Sequence, residues 1–327
     1  MIGLVTCAGA NASGGPSFSW QSAADMPVGK GGHACGVLRG KVLSVGGTHW
    51  TDGQKLWSGD LDIYDPATDT WSQGPGLPFP VAYSAFAVVN GRLLVCGGSD
   101  GTRDYQDTII CVPYGKSYEW LRGPALPAPR VYSSAAAIGP RLYVVAGAPD
   151  NRLDGKLYND LLMVNTAHPE EGWQTLRAMP GPGRTLPAVA ALEGNLYAFG
   201  GYAERDGAMV NLDDALVYET AHDRWRRLPD LPYPMRGCQA LAIKGKVYLF
   251  GGYVKWPAVM MKPESFTEKI LCFDPITEAY TEVGELPLAA IGMNPLLLPD
   301  GRVFICGGED RKQHRTEISA LGTLSVR

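Results

Sequence analysis

Six short runs of apolar, β-branched or aromatic residues recur along the chain, and each ends on a glycine doublet or its near equivalent. They are Val42–Val45 before Gly46-Gly47, Leu93–Cys96 before Gly97-Gly98, Leu142–Val145 before Ala146-Gly147, Leu196–Phe199 before Gly200-Gly201, Val247–Phe250 before Gly251-Gly252, and Val303–Cys306 before Gly307-Gly308. Runs of this length bounded by turn residues predict buried strands. Most are preceded by a turn of the Gly/Asn/Asp type, such as Asn90-Gly91, Glu193-Gly194 or Asp300-Gly301, which supplies the positive φ of a tight hairpin. The second glycines fall 51, 49, 54, 51 and 56 residues apart. A period near 50 predicts a ring of four-stranded blades, one per repeat.

A tryptophan returns within each repeat, 24, 22, 26 and 24 residues after the doublet at Trp71, Trp120, Trp173 and Trp225, with Tyr280 in the fifth copy. This residue is expected to pack between blades, while the glycines let backbones approach where a side chain would clash. The sixth copy stops before its own fourth strand, and an unassigned strand, Ser17-Phe18-Ser19-Trp20, lies at the other end of the chain. Pairing the two closes the ring and removes an exposed edge. The expectation is an all-β, six-bladed kelch-type β-propeller closed by the N-terminal strand, one domain over 1–327, with 1–16 as a flexible lead-in.

Composition agrees with a turn-rich all-β protein, with 41 Gly and 25 Pro in 327 residues. A formal net charge of −4 argues against generic nucleic-acid or anionic-membrane partners, and no apolar stretch approaches the roughly 20 residues of a membrane span. The N-terminus lacks the basic region of a signal peptide, and Leu4-Val5-Thr6-Cys7 only faintly resembles a lipoprotein signal. Seven cysteines without a Cys-x-x-Cys pair read as small buried residues in a reducing compartment. The five histidines have no metal-ligand spacing, so neither metal nor cofactor is expected. The cytoplasm is favoured, with export as the alternative if a leader has been removed.

Chemistry is therefore sought in the loops of one rim. Residues leading into the first strand of each blade are Lys30 to His33, Tyr83, Arg130, Arg184, Arg236 and Asn294. Three arginines following prolines suggest a receptor for carboxylate or phosphate, because guanidinium offers a rigid bidentate fork; a structural role between blades is the alternative for each. The sharpest local signal is Gly308-Glu309-Asp310-Arg311-Lys312-Gln313-His314-Arg315-Thr316. Gly-Glu, five residues, then Arg-Thr resembles the pattern of the bacterial N-acetylneuraminate (sialic acid) mutarotases, also called epimerases, in a cyclically permuted branch. Gly31-Gly32-His33-Ala34-Cys35, the loop Thr48-His49-Trp50 with Gln54-Lys55-Leu56-Trp57, and Met179-Pro180-Gly181-Pro182-Gly183-Arg184 extend the resemblance. The stretch Asp310 to His314 is more polar than in that family.

The resemblance implies a mutarotase that opens and recloses the ring of N-acetylneuraminate or a related 2-keto sugar acid without a cofactor. It implies Glu309 as acid–base group and Arg315 as the grip on the sugar carboxylate. Arg184, Arg236 and Arg130 are then secondary anchors, Trp50 and Trp57 apolar walls, and His33, Lys55 and Asn294 further substrate contacts. The alternatives are a non-catalytic kelch propeller that binds an acidic peptide or a carbohydrate through its arginine-lined rim. A small sugar acid is the expected partner, and the chain is expected as monomer or dimer.

Overall fold

A computed structural model describes residues 15–153, 155–256, 260 and 264–326; the part of the lead-in before Gly15, including Cys7, lies outside them. The fold is an all-β kelch-type β-propeller built from antiparallel sheets. Five blades stand as separate four-stranded sheets, a correction to the expected set of six equivalent ones. The strands of the fourth repeat, Ala188–Leu192, Asn195–Arg205, Ala208–Glu219 and Arg224–Leu228, belong instead to a seven-stranded sheet. The cause is strand length: Asn195–Arg205 and Ala208–Glu219 run on past the doublet through a bulge between Phe199 and Gly201. Leu212 then pairs with Met235, which carries the ladder into the fifth repeat.

The glycine doublets do what their spacing suggests. The second glycine donates its N–H to the first-strand lead-in of the next repeat: Gly47 to Val81 O at 2.8 Å, Gly98 to Arg130 O at 2.8 Å, Gly147 to Arg184 O at 2.8 Å, and Gly252 to Ala290 O at 2.9 Å. The first glycine lies so close that a Cβ on Gly46 or Gly97 would stand 2.2 Å from that same carbonyl oxygen. Both glycines also hold positive φ, as at Gly46 (64°) and Gly47 (98°), where a side chain is strained. The last doublet repeats the contact across the ends of the chain, Gly308 N–H to Lys30 O at 2.8 Å. Closure is completed by Ser17–Ala23, which pairs antiparallel with Ser319–Ser325. The tryptophans also pack between neighbours: Trp71, Trp120, Trp173 and Trp225 donate their indole N–H to Ala24, Pro75, Pro124 and Arg177 of the preceding repeat, and the Tyr280 hydroxyl reaches Pro229 O.

A second ring of contacts lines the hub. Gly32, Tyr83, Tyr132, Leu186, Gly237 and Gly292, one from each repeat, all adopt φ between 54° and 74°. Backbone hydrogen bonds link them in order, from Tyr83 N–H to Gly32 O (2.7 Å) through to Gly292 N–H to Gly237 O (3.3 Å). The belt turns its six residues toward the axis and fixes the width of the space they enclose.

Candidate functional site

That space is a cavity of about 640 Å³, and every belt residue lines it. Of the residues expected at the site, His33, Lys55, Arg236, Asn294, Glu309 and Arg315 also line it; Arg130, Arg184, Trp50 and Trp57 do not. Glu309 is held by reciprocal backbone hydrogen bonds with Ile291 (2.9 and 3.0 Å), so the residue directly after the doublet faces the hub. Arg315 is buried, and its Nη1 lies 2.8 Å from Glu309 Oε2. It reaches there because Gly29 and Gly31 leave room: a Cβ on Gly31 would stand 2.3 Å from Arg315 Cδ. Its Nε also donates to Thr48 Oγ1 at 3.4 Å. The second acid of the loop, Asp310, turns away and pairs with His314 (2.5 Å) and Arg311 (3.0 Å).

The three lead-in arginines separate into two kinds. Arg130 forms a two-pronged ion pair with Asp160, 2.7 Å on both prongs, and donates to Ala146 O. Arg184 does the same with Asp214 (2.6 and 2.8 Å) and Gly200 O. Lys30 pairs with Asp62 in the corresponding place. These are buried latches that tie the lead-in to the third strand of the same blade, and the expected role of Arg130 and Arg184 as ligand anchors is corrected accordingly. Arg236 is one residue further along: it pairs with Tyr253 as Val131 pairs with Ala148 and Thr185 with Tyr202, while Met235 occupies the latch position. Arg236 therefore faces the cavity, stacked between Tyr202 (4.1 Å) and Tyr253 (4.4 Å), with Asn211 Oδ1 accepting its hydrogen bond at 2.7 Å. Its side-chain partner is an amide from the preceding repeat, and no ion pair to a carboxylate forms among the described residues.

Charge in the cavity is thus mostly positive. Lys55, Arg236, Lys312 and Arg315 line it, and Glu309 is its only carboxylate among the described residues. Tyr83, expected on the rim but given no role there, reports that field. Burial would raise its hydroxyl, but the charges of Lys55 and Arg315, with hydrogen bonds from Lys55 and Thr48, outweigh it and lower the pKa from its ordinary value. The neighbouring Tyr132, 4.7 Å away ring to ring, lies in the opposite direction: burial pushes its hydroxyl up. Trp57 stands behind Tyr83 with Lys55 over both rings at 4.7 and 4.8 Å, so it supports the wall rather than forming it. The signal that could have found Tyr83 is its register: it is the belt residue of the second repeat, aligned with Gly32 and Tyr132.

His33 and Asn294 meet at the seam between first and last repeats. Asn294 Nδ2 donates to His33 O at 3.0 Å and stands 3.3 Å from His33 Nε2 and 3.6 Å from Cys35 Sγ. Cys306 Sγ lies 3.8 Å from His33 Nε2. Burial raises both buried thiols, but the hydrogen bond they share divides them, holding Cys35 below and pushing Cys306 above the usual thiol range. Elsewhere burial dominates, pushing Cys96 and Cys111 up to about 12.

Comparison with known proteins gives partial matches. Residues 123–257 match the N-acetylneuraminate epimerase family, and residues 31–78 match the kelch motif. It is 24% identical over 190 residues to the N-acetylneuraminate epimerase of Pasteurella multocida, covering 49% of this chain and 50% of that one. It is also 25% identical over 235 residues to Kelch-like protein 35 of Mus musculus, covering 72% of this chain and 29% of that one. The chain spans about half the length of the N-acetylneuraminate epimerases it matches. The solved structure of YjhT superposes with a TM-score of 0.73 at 15% identity, covering 93% of this chain and 99% of that one, which agrees with the propeller fold. Among the described residues, no helix is long and apolar enough to cross a membrane.

Proposed function

We propose that the chain forms a six-bladed ring whose hub converts one anomer of a 2-keto sugar acid, N-acetylneuraminate or a close relative, into the other. The observation that carries this reading is one carboxylate, Glu309, set against Arg315 in a cavity otherwise charged by cations. The six-membered backbone belt supports the blade number.

In this reading the sugar carboxylate is bound by Arg315 and Arg236, whose planar donors match it. Glu309, a third exposed on its side chain, takes the proton of the anomeric hydroxyl. The bond from the anomeric carbon to the ring oxygen breaks as the ketone forms, and the ring oxygen receives a proton through Glu309 or an adjacent water. The open chain rotates, the ring oxygen attacks the other face of the carbonyl, and the same group returns the proton, so no net oxidation or hydration occurs. Acid–base assistance of this kind is worth about 10²–10⁴ in rate. Phe266, Ile291 and Leu186 supply the apolar wall for the sugar. The test is proton NMR on a freshly dissolved single anomer. The protein is expected to bring the anomers to equilibrium faster than buffer does, and an unchanged exchange rate overturns the reading.

A further inference from the structure

Sequence spacing gives no reason to expect a metal, because the relevant residues lie some 270 positions apart: His33 and Cys35 in the first repeat, Cys306 in the last. Ring closure brings them together. One donor atom from each lies within 4.8 Å of the other two, all three residues are buried, and theirs is the one such group of His, Cys, Asp or Glu found among the described residues.

The geometry points to a binding site for a thiophilic cation of the zinc class, held by His33, Cys35 and Cys306 at the seam between the first and last blades. Two thiolates and an imidazole suit zinc by ligand softness. Zinc–sulfur and zinc–nitrogen bonds of about 2.3 and 2.0–2.1 Å at a tetrahedral angle hold sulfur and nitrogen about 3.6 Å apart. His33 Nε2 and Cys306 Sγ stand 3.8 Å apart, so small side-chain shifts suffice.

One further observation calls for a ligand here. The Asn294 amide nitrogen faces three acceptors, His33 O, His33 Nε2 and Cys35 Sγ, and carries only two protons. A cation at the cluster would engage His33 Nε2 and both sulfurs together. The seam is also joined by Gly308 N–H to Lys30 O, so an ion here would clamp the ring where the chain ends meet.

Cobalt(II) is the probe, added to reduced, chelator-treated protein carrying Cys7→Ser to remove the thiol outside the described residues. One cobalt per chain is expected, with thiolate-to-cobalt absorption in the near ultraviolet and the strong visible bands of a tetrahedral site. Zinc should displace it and raise the melting temperature. Cys35→Ser with Cys306→Ser should abolish the thiolate absorption and the zinc-dependent thermal shift. Absence of thiolate absorption in the parent protein, which needs no further variant to be folded, overturns the proposal; so does binding that survives the double substitution. Neither readout involves anomer exchange, so this site stands or falls independently of the sugar-acid reading.

Discussion

Arg184 and Arg236 lie in the lead-ins of successive blades, each a few residues after a proline, yet they serve opposite ends. Arg184 is spent on Asp214 and a backbone carbonyl, almost wholly out of water. Arg236, one residue later in register, faces the cavity between two tyrosines and meets an amide instead of a carboxylate. In an extended segment side chains alternate sides, so a slip of one residue moves a cation from the blade interior to the hub. The same slip decides whether its charge is cancelled. A positive charge that the fold leaves unneutralised in a cavity is available to an anionic ligand.

The contrast can be broken first at Arg184. Arg184→Ala leaves Asp214 buried without a partner and is expected to cost about 3–5 kcal/mol in denaturant unfolding. Replacing both, Arg184→Met with Asp214→Leu, should recover much of that loss. Arg236→Ala should leave unfolding close to the parent protein but weaken binding of N-acetylneuraminate by about 10–100-fold in calorimetry, the value of charge-assisted hydrogen bonds of roughly 1.5–3 kcal/mol. A large stability loss with unchanged binding would reverse the assignment of the two arginines. Asn211→Asp sharpens the point by setting a carboxylate against the Arg236 guanidinium. It should weaken anion binding by about tenfold or less, in line with neutralising one partly exposed charge.

The smallest effect reads the field directly. Tyr83 is expected to ionise below its ordinary value of 10.0, as followed by ultraviolet titration against Tyr83→Phe. Because Lys55 favours the tyrosinate, Lys55→Met must move this ionisation upward; a downward shift or none would remove the field from the account. The sign for stability follows as well. A tyrosine whose folded pKa is depressed adds stability above its unfolded value, and that contribution fades as pH falls through the folded value.

The period of the doublets made the ring legible because the contact behind it is local and repeated: a Gly-Gly or Ala-Gly pair against a carbonyl of the next repeat. The tryptophans and the closing strand were legible for the same reason. The seven-stranded sheet was not, since it depends on how far two strands extend past a bulge. Glu309 and Arg315 could be picked out by their position after the last doublet, and they do meet across the cavity wall. The arginine row was misread because prolines and loop lengths differ among lead-ins and hide a register shift of one. Tyr83 was legible as a lead-in residue, but the Lys55 and Arg315 charges around it, and the Cys35–Cys306 contact, come from other repeats and do not show in spacing.

The central claim is that Glu309 carries the proton in the opening of a sugar-acid ring. Anomer exchange measured by NMR on a fresh single anomer of N-acetylneuraminate, comparing the parent protein with Glu309→Gln, tests it most directly. The account predicts a loss of about 10²–10⁴ in the catalysed rate with sugar binding retained. Exchange that continues undiminished in Glu309→Gln would contradict it.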